Sequence, residues 1–89
     1  MAISIEKILN ITPTEWSKMT GADLSKYNPV GVFAYCTLLL EDVGLAPEIH
    51  LAEKAPRGTE VILNYHGITF VSGKDSVTHH LYGTALVSR

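Results

Sequence analysis

His50, His66, His79, His80 and Cys36 are the residues of this 89-residue chain best equipped for chemistry. Imidazole can bind a metal, move a proton or sense pH, because its ordinary pKa lies near 6.5. A zinc site takes three or four protein ligands. His79 and His80 are neighbours in sequence, and adjacent side chains on a strand point to opposite faces, so they cannot easily hold one ion together. His66 reaches the face of His80 if a hairpin joins them in even register. His50 or Cys36 would then have to complete the set from distant sequence, and no close ligand spacing supports that. No metal ligands and no cofactor are assigned. The plainer reading is that these rings pack or hydrogen-bond at an interface, where their titration would make the contact pH-sensitive.

Cys36 lies in an apolar run beside Tyr35. A reactive thiol needs exposure and nearby positive charge, and the sequence supplies neither. A small buried hydrophobe fits better, although a cysteine nucleophile and a histidine base meet only in space. Gly73-Lys74 lacks the preceding glycine spacing of a phosphate loop, and Asp75 stands where Ser or Thr would bind magnesium. Glu41-Asp42 reads as a solvated acidic pair, and Glu53, Lys54 and Arg57 as an exposed face. No catalytic set of nucleophile, base and orienting group is visible. The residues assigned to a ligand-binding surface are Tyr65, His66, His79, His80 and Tyr82, where polar and aromatic groups converge. Tyrosine buries a large area yet keeps a polar tip, which suits contact surfaces.

These residues need a scaffold. Residues 60–71 and 76–87 read as two strands joined by Ser72-Gly73-Lys74-Asp75. In the second run Val77, His79, Leu81, Gly83, Ala85 and Val87 share one face; Thr78, His80, Tyr82, Thr84 and Leu86 share the other. Both faces carry apolar residues. A lone hairpin is marginal in water, so another strand, an overlying helix or a second subunit must cover it. Gly67 and Gly83 mark bulges or close backbone approach. Thr12-Pro13-Thr14-Glu15 predicts a capped helix carrying Trp16 and Met19 and ending near Gly21. Residues 4–11 suit either strand or helix. Asn28-Pro29 predicts a second helix start and Gly44 its end. The intervening 30–43 run is apolar on nearly every side; its length favours helix, its β-branched and aromatic residues strand, and helix is chosen. Pro47 and Pro56 bracket a short helix over 48–55.

The composition limits what the chain can be. It is 46% apolar and 18% charged, with net charge −2 and mean hydropathy +0.16. Such a chain is globular and forms one domain over 1–89. At this size it buries only about 60–65% of its unfolded surface, so association would help it. Seven basic residues scattered singly argue against nucleic acid. One cysteine excludes an intrachain disulfide and fits a reducing compartment. The start lacks a signal-peptide pattern, and the longest apolar run, 30–40, is too short to span a bilayer. A cytoplasmic protein with no membrane partner is expected.

Arg57-Gly58-Thr59-Glu60-Val61-Ile62-Leu63-Asn64-Tyr65, followed by Leu81-Tyr82-Gly83-Thr84-Ala85-Leu86-Val87, resembles the C-terminal part of the YbjQ-type proteins, small domains described as heavy-metal-binding. The resemblance covers the last third of the chain. It implies a small α+β fold and assembly into rings. Pro47 and Pro56 shorten the helix that is long in that family, and no metal ligands are carried over.

The expected architecture is α+β, a helical N-terminal half packed on a C-terminal antiparallel hairpin whose sheet is completed by another strand or by oligomerisation. The expected function is a non-enzymatic homo-oligomeric binding module for a small molecule, metal or protein, with the hairpin or residues 30–40 at the subunit contact. The alternative is an inhibitor or adaptor that docks an acidic, aromatic-bearing face on a larger protein. A small enzyme is the third reading.

Overall fold

The computed structural model describes residues 3–39, 47–71 and 73–89. Three long strands form one antiparallel sheet: β1 (Tyr27–Leu39), β2 (Thr59–Val71) and β3 (Ser76–Ser88), in spatial order β1-β3-β2. Two short helices, α1 (Pro13–Thr20) and α2 (Glu48–Glu53), pack on opposite faces. The architecture is α+β, and the expected hairpin is present as β2 and β3. Ser72 and residues 40–46 lie outside the described residues, and with them the expected helix end at Gly44.

The N-terminal half is less helical than predicted. The expected helix over 30–43 is strand β1 as far as Leu39, and Asn28-Pro29 opens no helix. Two causes favour the strand. Val30, Val32, Phe33, Tyr35 and Thr37 are β-branched or aromatic and lose χ1 freedom in a helix. The hairpin also needs a partner on the open side of β3, and β1 pairs with β3 over its full length, from Tyr27 opposite Ser88 to Leu39 opposite Ser76. The burial pattern has period two: Val32, Ala34 and Cys36 are buried while Phe33 and Tyr35 are exposed. A helix with those residues would have shown a stripe of period 3.6.

Helix α1 forms where its capping signal lies. The Glu15 N–H donates to Thr12 Oγ1 at 3.1 Å, and Glu15 Oε1 accepts from the Thr12 N–H at 3.4 Å. Gly21 ends the helix with φ +74°, a left-handed conformation that costs glycine little. Trp16 anchors it on Val61, Leu63 and Leu86, with Tyr27 edge-on to the indole at 5.6 Å. Helix α2 buries Leu51 and Ala52 on the other face; Leu51 packs with Val32, Ala34, Ala55, Ile62, Leu81 and Ala85. Gly83 permits this packing. A Cβ there would lie 2.5 Å from Ile62 Cγ2.

The ambiguous stretch 4–11 is neither long strand nor helix. A 3-10 turn, Ile5–Lys7, leads into a strap along the outer edge of β2. The Leu9 N–H donates to Ile62 O at 2.9 Å, the Asn64 N–H to Ile11 O at 2.9 Å, and the Tyr65 N–H to Leu9 O at 3.1 Å. The strap ends at a bulge, where Asn64 and Tyr65 both stand against Gly83 and Asn64 takes φ +54°. Asparagine tolerates that left-handed region better than most residues.

Candidate functional site

The register fixes which side chains share a surface. On β1, Phe33 stands opposite Tyr82, Tyr35 opposite His80 and Thr37 opposite Thr78. On β2, His66 stands opposite Tyr82, Ile68 opposite His80 and Phe70 opposite Thr78. All lie on the face that carries α1, but beyond the reach of that helix. The result is a continuous ring field. His66 stacks on Tyr82 at 5.1 Å and 17°, Phe33 lies 5.3 Å from Tyr82, Phe70 meets His80 edge-on at 5.2 Å, and Tyr35 lies 6.1 Å from both Phe33 and His80.

This field is bare. Tyr35 is 67% exposed, Ile68 56%, Leu39 51%, Phe33 48% and Phe70 45%. Residues 31–39, 66–71 and 76–82, the stretches that bear this field, include no Asp, Glu, Lys or Arg. In its middle, Thr37 and Thr78 satisfy each other through a 2.9 Å hydroxyl hydrogen bond. Soluble surfaces seldom leave apolar rings contiguous and unscreened unless something docks there.

The five residues assigned to a ligand surface divide between the two faces. His66, His80 and Tyr82 belong to the ring field. Tyr65 and His79 lie on the α2 face. The bulge sets this division: it changes the parity of β2, so Val61 and Leu63 before it and His66, Ile68 and Phe70 after it all share one face. His66 shares a face with His80, as an even register requires, though its direct partner is Tyr82. His79 and His80 point apart. Phe33, Tyr35, Ile68 and Phe70 were not assigned to the site from sequence. For Phe33 and Tyr35 the signal was the alternation within residues 30–39, hidden by the helix reading; Ile68 and Phe70 lie in the expected strand over 60–71, on a face set by the bulge before His66.

On the α2 face, the Tyr65 hydroxyl donates to Glu48 Oε1 at 3.3 Å. Burial, then the Glu48 carboxylate and its hydrogen bond, push the Tyr65 pKa up to about 12. Cys36 is opposite His79 in the β1–β3 register. The cysteine is buried, and that burial pushes its thiol up. The His79 ring is engaged elsewhere, with Nδ1 hydrogen-bonded at 2.8 Å to the Thr69 hydroxyl. Buried, and with no positive charge acting on it among the described residues, Cys36 is poorly placed as a nucleophile. Among the described residues no cluster of three or more His, Cys, Asp or Glu is placed to hold a metal ion.

A separate cleft of about 310 Å³ opens between the strap and α1, with Trp16 and Tyr27 among its walls. The Lys7 ammonium and Glu60 carboxylate pair at 3.8 Å beside it. Among the described residues no helix is long and apolar enough to cross a membrane. Comparison with family models, curated proteins and solved structures finds no match for this chain.

Proposed function

We propose that this protein is a non-enzymatic binding module that works as a homo-oligomer in the cytoplasm and presents the bare ring field to a protein partner. One observation carries the reading: six rings, Phe33, Tyr35, His66, Phe70, His80 and Tyr82, lie on one open sheet face with no formal charge from Asp, Glu, Lys or Arg among them. Small-molecule sites are concave and enclose their ligand. A sheet face offers breadth instead, which suits a protein partner whose core contacts are aromatic and whose centre is depleted of charge. The buried thiol of Cys36 favours binding over catalysis. The second reading, an adaptor or inhibitor on a larger protein, draws on the same rings and differs in stoichiometry: it requires a stable monomer.

Native mass spectrometry gives the subunit count and any retained molecule in one spectrum. The expected result is an oligomer at micromolar concentration. A parallel measurement uses a dye that fluoresces on apolar surfaces. Ile68→Ser with Phe70→Ser should abolish most of the dye signal while the far-UV circular dichroism stays native. A strict monomer with no retained molecule and no dye binding removes the reading.

A further inference from the structure

We propose that two copies of this chain join edge to edge through β1, antiparallel about a two-fold axis at Tyr35, to form one six-stranded sheet. The inference rests on the reading that the protein self-associates, and it names the surface and the register.

The directions of the backbone groups carry the argument. The Arg89 N–H donates to Lys26 O at 3.0 Å, one position beyond the Tyr27–Ser88 pair. In an antiparallel ladder the hydrogen-bonded positions alternate. Even-numbered residues of β1 therefore turn their N–H and C=O groups towards β3, and odd-numbered residues turn theirs outward. Pro29 holds an outward position, where its missing N–H costs the sheet nothing. Beyond it Gly31, Phe33, Tyr35, Thr37 and Leu39 present N–H and C=O groups to the open side, and among the described residues no strand pairs with them.

Sheet edges are commonly protected by charge, proline, a bulge or a covering segment. After Pro29, β1 carries no charge, and its pairing with β3 shows no bulge. The other edge is treated differently: β2 is strapped as far as Tyr65 and interrupted by its bulge. The open run of β1 is symmetric about Tyr35, with Gly31 opposite Leu39 of a second copy and Phe33 opposite Thr37. An identical strand is thus its own complement over about 30 Å, with about ten main-chain hydrogen bonds. A groove of about 430 Å³ lies along this edge, lined by Phe33, Ala34, Tyr35 and Lys54. The axis runs perpendicular to the sheet, so both ring fields fall on one side of the pair and both α2 helices on the other.

Amide hydrogen exchange by NMR, at high and low protein concentration, tests the register. Even-numbered amides of β1 should be protected at both concentrations. The amides of Phe33, Tyr35 and Thr37 should become protected only as concentration rises. Thr37→Pro should weaken association by roughly 30-fold or more, from hydrogen bonds lost in both copies, while keeping native circular dichroism. Thr37→Val, which loses the hydroxyl but keeps the N–H, should still associate. Should Thr37→Pro fail to fold, Gly31→Pro replaces it, since nothing lies within 4 Å of a Cβ there. If the wild type associates while the odd-numbered amides stay fast and the proline variants remain assembled, edge pairing is wrong and self-association stands. An odd-membered closed ring also overturns it. A monomer at every concentration removes both readings.

Discussion

Tyr65 couples the bulge to α2 through a single hydroxyl. Its pKa is raised from the ordinary 10.0 to about 12, chiefly by burial and then by Glu48. The folded chain therefore keeps a proton that the unfolded chain gives up. The resulting stabilisation is fully present below pH 10 and is lost as pH rises through 10 to 12. Urea-unfolding midpoints across that window should fall for the wild type, and Tyr65→Phe should lose part of the slope. Gly83 marks a different kind of dependence, one of space. Ile62 is wholly buried and its Cγ2 occupies the position a Cβ at 83 would need. Gly83→Ala should cost about 1–3 kcal/mol by overpacking, read as a lower urea midpoint with the slope unchanged.

At the level of elements, local signals and tertiary demands contribute unequally. The α1 cap is self-contained: Thr12 and Glu15 satisfy each other's backbone donors whatever the rest of the chain does. Thr12→Ala should cost about 1 kcal/mol, measurable by thermal unfolding. Such a signal is legible in sequence because donor, acceptor and spacing lie within four residues, and the β2–β3 hairpin was legible for the similar reason that its partners are close. β1 was not. Its run of apolar residues suits helix or strand, and the deciding partner, β3, stands 41 positions away at the Thr37–Thr78 contact. The candidate surface suffered the same fate. His66, His80 and Tyr82 were visible from alternation, whereas Ile68 and Phe70 depended on the bulge and Phe33 and Tyr35 joined them only once β1 was a strand. The parity change at Asn64-Tyr65 has no sequence signature beyond an asparagine able to turn left-handed, so the separation of Tyr65 from His66 could not be read in advance.

At the scale of the whole molecule, the sheet is long and thinly covered. The chain measures 47 × 23 × 18 Å. One helix seals the α2 face near the centre of the sheet and the other seals only one end of the opposite face. The strand order carries a consequence for synthesis. The central strand, β3, follows both of its neighbours in the chain, so a ribosome making this protein has synthesised both edges before the strand that unites them exists. Until then β1 is an uncharged oily segment with no native partner, a form in which nascent chains readily stick to one another.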